Sequence, residues 1–217
     1  MARLRSLIKY SRDEKTAYDR REWIVPLIQL FHLQMALSGL IIKNYFGSTS
    51  KPGSIAFNVS MLGRNRINIK KQDFHTADEL IRHTFDSIVL RAHEVLHDFD
   101  ILNAEAPHLD HCSRIKQLSS ISKRIVDKYY VNFEEFQEKS DVDSSHVALF
   151  LRDAGLYIEL SSAIKAGDIG RIEEILLWLT IMFQAGGTKN YGYELLRLHC
   201  NLRYGWTDKM KKTVMTS

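Results

Sequence analysis

The sequence predicts a mainly α-helical protein, a multi-helical single domain with at most one or two short strands. Three observations carry that expectation. Apolar residues recur at three- and four-residue spacing over most of the chain. Helix stops and starts stand back to back, as at Gly167-Asp168. The segments suited to strands are few and short, near residues 23–28 and 64–70.

The stretch from Arg152 to Trp206 organises the rest. Gly167 suits a helix C-terminus because glycine tolerates left-handed backbone, and Asp168 suits an N-cap because its carboxylate accepts an orphan N–H. Gly186-Gly187 ends the next helix, and Thr188 or Asn190 can cap the third. The expected helices run over 145–166, 168–185 and 190–204. Short connections make them antiparallel neighbours. The middle helix places Ile169, Ile172, Leu176, Leu179 and Phe183 at helical spacing, then becomes apolar all round at LLWLTIMF. A helix apolar on every side is expected to be buried, so Ile175, Trp178, Leu179 and Met182 are expected inside. The third helix repeats the stripe with Tyr191, Leu195, Leu198 and Leu202.

The N-terminal part is read in order. Residues 1–22 form a basic segment expected to be helical, ahead of a helical domain over 23–217 whose three-helix core spans about 145–206. Arg3, Arg5, Lys9, Arg12, Lys15, Arg20 and Arg21 outnumber Asp13, Glu14 and Asp19 there. Trp23–Ile28 reads as a short strand entering a helix near 30–46, with His32 as a core histidine. GSTSKPGS is a loop, and GRNRINIKK is a basic edge strand or extended loop. Thr76 followed by Glu79 forms a capping box, and the stripe from Leu80 through Ile88 to Phe99 sustains a long helix. Pro107 interrupts helix, and another runs from Ser113 to about Val131. NFEEFQEKSDVDSS is acidic and turn-rich.

Composition bounds function without choosing it. At 217 residues the chain can bury a core with no disulfide or metal. A net charge of +4 permits a nucleic-acid partner. Two distant cysteines, Cys112 and Cys200, suggest neither a disulfide framework nor a zinc ribbon; they read as small apolar residues or bystanders. A nuclear or cytoplasmic location is expected. MARLRSLIKY lacks the apolar region of a secretory signal. Ile24–Ile42 has no formally charged residue, but Pro26, Gln29, His32, Gln34 and Ser38 disfavour insertion, so no membrane partner is expected. There is no phosphate-binding glycine loop and no GxSxG.

Two constellations offer chemistry. His93-Glu94-Val95-Leu96-His97 is an HExxH on a helix, which sets two imidazoles on one face for zinc with Glu94 to polarise bound water. Arg91 and Asp98 flank it, and a third ligand must come from His108, His111, Glu134 or Glu135. The preferred reading is two half-exposed histidines on an amphipathic helix. No cofactor is expected; zinc enters only through this motif. The basic residues Arg3, Arg5, Lys9, Arg64, Arg66, Lys70 and Lys71 are the candidate phosphate contacts to DNA or RNA, joined by Lys209, Lys211 and Lys212 near the C-terminal end.

RDAGLYIELSSAIKAGDIGRIEE and KNYGYELLRLHCNL, with WIVPLIQLFHLQMA at 23–36 and KQDFHTADELIRHTFDSIVL at 71–90, resemble an uncharacterised, mainly fungal, transposase-like family across about residues 20–206. If the family is of the RNase H-like type, the resemblance implies two metal ions held by carboxylates, with magnesium the expected ion. Glu194 would be the late-helix carboxylate, and the strand-end position would lie near WIVPLIQLFH. Leu30 stands where some relatives carry an acid, and the pattern expects a further acidic segment upstream of residue 1. The implied metal set is therefore incomplete. Pairing of Glu194 with Arg197 is the preferred reading. Asp153 and Glu159, also in the matched block, are about 240° apart around a helix and do not share a face. The expected function is a transposase-derived helical domain, not catalytic as this chain, that binds nucleic acid or a protein partner. The alternatives are a zinc-dependent hydrolase and a structural protein-interaction module.

Overall fold

The computed structural model describes residues 9–20, 28–63, 73–96, 110–129 and 142–215. It is all-α: among the described residues there are eight α-helices, a short π-helical turn and no strand. The helices are α1 (Leu30–Tyr45), α2 (Ile55–Met61), α3 (Phe74–Leu96), α4 (His111–Tyr129), α5 (Val142–Ala166), α6 (Ile169–Ala185), α7 (Lys189–Cys200) and α8 (Asp208–Met215). The expected strands near 23–28 and 64–70 fall almost wholly outside the described residues.

The chain divides into two compact units. Unit 1 comprises residues 1–36 and 160–217, and unit 2 comprises 37–159, so α1 and α5 contribute to both.

Unit 1 is built on the anticipated hairpin of α6 and α7. Gly167 takes a φ of 65°, which an L side chain rarely adopts, and this lets Asp168 N–H turn back to the Ala163 carbonyl at 3.0 Å. Asp168 then caps α6 by accepting from Arg171 N–H at 3.2 Å. Gly186-Gly187 closes α6. The helix α7 starts after Thr188, so Asn190 lies inside it, and the Thr188 hydroxyl donates back to the Phe183 carbonyl instead of capping forward. Ile172, Ile175, Leu176, Leu179, Met182 and Phe183 of α6 are buried, as are Leu195, Leu198 and Leu202. Tyr191 stacks on Phe183 with ring centroids 5.1 Å apart. Gly192 faces Gln184 across the seam, where an added Cβ would sit 2.7 Å from the amide nitrogen. Glycine thus allows a close approach of the two helices.

Unit 2 gathers Leu37, Ile41 and Ile42 of α1, Ile55 of α2, Leu80 and Ile81 of α3, and Phe150 of α5 into its core. Ser54 caps α2 by accepting from Phe57 N–H at 3.1 Å.

Four expectations change. Trp178 is 56% exposed, not buried. At 100° per residue it falls with Leu177 and Ile181 on the arc opposite the buried stripe, and the unit takes only one side of α6 into its core. The helix α3 begins two residues earlier than Thr76. Asp73 is the capping residue, accepting from Thr76 N–H at 2.9 Å and from its hydroxyl at 2.6 Å. His32 is exposed, edge-on to the exposed Phe31, because Leu33, Gln34, Leu37 and Ser38 take the inward arc of α1. In the basic N-terminal segment only Lys9 and Tyr10 of the described residues are helical, and 11–20 run through turns and bends. The Arg20 guanidinium donates to the carbonyls of Glu14 and Lys15, both at 2.9 Å, and ties the segment into a local fold.

Candidate functional site

The most unusual surface of unit 1 is apolar. From α6, Leu177, Trp178 and Ile181 are exposed; from α7, Tyr193 and Leu196 are exposed. Tyr204 is exposed on the π-helical turn Asn201–Gly205, where Trp206 N–H reaches back to the Asn201 carbonyl at 2.8 Å. Helical spacing explains the grouping on each helix. Residues 177, 178, 181 and 185 of α6 share a 100° arc, with Glu174 as the charged member. On α7, residues 193, 196, 197 and 200 share another arc, with Cys200 exposed among them. The seam at Gly192 and Gln184 fixes the antiparallel register. It sets Leu196 opposite Thr180, within a turn of Leu177 and Ile181. Five large apolar side chains, Leu177, Trp178, Ile181, Tyr193 and Leu196, therefore lie on the outward arcs of the hairpin. Isolated exposed apolar residues are ordinary, but a group of five that includes a tryptophan is not.

Unit 2 holds its polar chemistry inside. Asp153 of α5 is buried; its Oδ2 accepts from the Tyr45 hydroxyl of α1 at 2.6 Å. Its Oδ1 accepts from the Arg152 guanidinium at 2.7 and 2.8 Å. Burial first, and then the Asp153 carboxylate, push the Tyr45 phenol far above its ordinary range. The Tyr45 ring meets Phe150 and His146 edge-on at 5.4 and 5.2 Å. One turn along α5, the Tyr157 hydroxyl donates to Asp78 Oδ1 of α3 at 2.7 Å, and Arg82 Nε lies 3.0 Å from both Asp78 oxygens. Asp153 and Tyr157 thus tie α5 to two different helices. Both carboxylates are engaged in holding the fold.

The sequence-derived candidates distribute as follows. Arg3, Arg5, Arg64, Arg66, Lys70, Lys71 and His97 lie outside the described residues, as do His108, Glu134 and Glu135. Lys9 is exposed. His93 is half-buried on α3, and Glu94 is paired with Arg91 at 2.9 Å, so the carboxylate meant to polarise a metal-bound water faces a guanidinium. His111 is exposed at the start of α4, and Glu194 is half-buried on α7. Among the described residues, no three His, Cys, Asp or Glu side chains are grouped to hold a metal ion. Both cysteines are exposed, which rules out the small buried apolar role for them. No described helix is long and apolar enough to cross a membrane.

Sequence reasoning missed a second charged element. The helix α4 carries Arg114, Lys116, Lys123, Arg124 and Lys128 against Asp127, and the first four are exposed. The signal was present in RIKQLSSISKR, but the spacing of Ile115, Leu118 and Ile121 drew the reading to an inner apolar stripe, of which only Ile121 is buried while Ile115 and Leu118 are exposed.

The whole chain, residues 1–217, matches the Family of unknown function (DUF6589), and the chain belongs to that family. No curated protein and no solved structure matches it.

Proposed function

We propose that this DUF6589 chain is a non-catalytic helical binding module that takes a protein partner on the outer face of α6 and α7. One observation carries the reading: Trp178 and Ile181, at 56% and 60% exposure, belong to an apolar face on a helix whose opposite side is core. An aromatic anchor flanked by aliphatics is what protein interfaces concentrate at their centres. The non-catalytic part is supported by the engagement of the inward carboxylates, Asp78 and Asp153, and of Glu94 in ion pairs. For the same reason the HExxH hydrolase has less support. Descent from a fungal transposase-like ancestor rests on the sequence blocks alone. Exposed free thiols at Cys112 and Cys200 suit the reducing nucleus or cytosol.

A second reading, nucleic-acid binding, is favoured by α4, whose exposed Lys116, Lys123 and Arg124 share a 100° arc and suit phosphate contacts. One experiment separates the two. Wild-type chain, Ile181→Lys, and a variant with Lys116, Lys123 and Arg124 changed to Gln are each titrated with labelled duplex and single-stranded DNA at low and physiological salt. Parallel columns measure protein retention from nuclear extract. The protein reading expects retention lost in Ile181→Lys and kept in the α4 variant. Salt-steep DNA binding, lost in the α4 variant with retention indifferent to Ile181→Lys, would establish the nucleic-acid reading instead.

A further inference from the structure

We infer that α4 docks the chain on an anionic lipid surface, lying along it with Ile115, Leu118 and Val126 at the acyl boundary and Lys116 and Lys123 among the headgroups. This face belongs to unit 2 and does not depend on the reading of the α6–α7 hairpin.

The first argument is where the charge sits. The helix α4 carries five cations, Arg114, Lys116, Lys123, Arg124 and Lys128, against the single acid Asp127. Its surplus of four equals the net charge of the whole chain, so the rest of the sequence is balanced on its own. The excess positive charge of the protein is thus gathered on one helix, which favours an anionic partner there.

The second argument is what lies beside the charge. Ile115, Leu118 and Val126 are 53%, 59% and 47% exposed. At 100° per residue they fall within about 80° of arc, in a stripe about 16 Å long. Lys116 and Lys123 border the stripe on one side and Arg114 on the other, and all three are exposed. Ile121, about 100° from the middle of the stripe, is buried, and α4 packs against α3. The helix therefore offers one side only.

That arrangement sorts among anionic partners. A nucleic-acid backbone is met through its phosphates, which have no use for an aliphatic stripe between cations. A protein interface sets aromatic anchors at its centre, whereas this stripe is aliphatic and broken by the exposed Ser122. An anionic bilayer requires what α4 has. The shallow stripe enters the acyl boundary, and the lysine stems run beside it and lift their ammonium groups to the headgroups. The helix lies in the plane of the interface and does not cross it.

The test is flotation of the full chain with vesicles of phosphatidylcholine alone and of phosphatidylcholine with phosphatidylserine, at low and physiological salt. The wild type is expected to float with the anionic vesicles only, and less at the higher salt. Each cation near an anionic surface contributes about five-fold in partitioning, so Lys116→Gln with Lys123→Gln should weaken binding roughly 25-fold. Ile115→Ser with Leu118→Ser leaves every charge in place and should weaken it about ten-fold or more. Val126→Ser, tested separately, should move binding the same way. All five positions are exposed, so helix content by circular dichroism should not change. Ile181→Lys, on α6, should float as the wild type does. A wild type that fails to float with anionic vesicles would overturn the inference. So would serine variants that float as well as the wild type, or a loss caused by Ile181→Lys. If the lysine pair alone matters, for vesicles and for labelled duplex DNA alike, the helix reads phosphate charge only and the nucleic-acid reading takes its place.

Discussion

Removing one hydroxyl from Tyr45 is the sharpest probe of how unit 2 is held. Tyr45→Phe keeps the ring against Phe150 and His146 but leaves the Asp153 Oδ2, buried with its residue 5% exposed, without its 2.6 Å donor. Arg152 still satisfies the other oxygen. A hydrogen bond to a charged group contributes about 1.5–3 kcal/mol, so the expected loss is roughly 2 kcal/mol. With a urea slope of about 2 kcal/mol per molar, the midpoint falls by about 1 M at unchanged slope. Far-ultraviolet circular dichroism reads the helices of both units, while Trp178 and Trp206 report on unit 1. A shift seen by dichroism alone would mean that the units unfold separately. A double-mutant cycle with Asp153→Asn should give a coupling of about 1–2 kcal/mol. If Tyr45→Phe stays within about 0.5 kcal/mol of wild type by both probes, the typical limit for a surface change, the buried pairing does not stabilise the fold as argued.

Other consequences concern single positions. Leu179→Ala, at a fully buried site, should cost about 2–5 kcal/mol, while Ile181→Ala two residues on should change monomer stability by no more than about 0.5 kcal/mol in chemical denaturation. Asp73→Ala should cost about 1 kcal/mol and fray the first turn of α3, whereas the loss would follow Thr76→Ala alone if Thr76 were the cap; amide exchange at Thr76 and Ala77 reports which. Alkaline titration gives a signed test. The Tyr45 phenol keeps its proton in the fold well above the 10.0 of an unperturbed tyrosine, so only the unfolded chain ionises as pH first passes 10. Its contribution is therefore constant below pH 10, and stability falls by about 1.4 kcal/mol per pH unit above it. Tyr45→Phe should remove that share of the slope, and an identical slope in both chains contradicts the assignment.

The hairpin of α6 and α7 was legible because its punctuation is local. Gly167, Asp168 and Gly186-Gly187 act through backbone geometry within a few residues, and the structure places the helix ends beside them. The outer face was not legible, because a core and an interface use the same residues. LLWLTIMF reads as interior until it is known that the unit covers Leu176 and Leu179 and leaves Leu177, Trp178 and Ile181 open. The start of α3 was misplaced because Asp73 and Thr76 are both competent caps, and capping-box spacing alone favoured the second. The Tyr45–Asp153 bond joins residues 108 apart in sequence, a pairing that no periodicity encodes. The basic N-terminal segment was over-read as helix because composition does not disclose that Arg20 is committed to two backbone carbonyls.

The most direct test of the docking face is the solvent access of Trp178 as a function of dilution. A chain with Trp23→Phe and Trp206→Phe leaves Trp178 as its one tryptophan, and acrylamide quenching of its emission is measured from high concentration to the lowest usable. The account predicts an indole freely quenched when the chain is dilute, because Trp178 is 56% exposed, with Ile181→Lys freely quenched throughout. An indole that resists quenching at every dilution, in Ile181→Lys as well, would mean that α6 is wrapped on all sides, and the face proposed for binding would not exist.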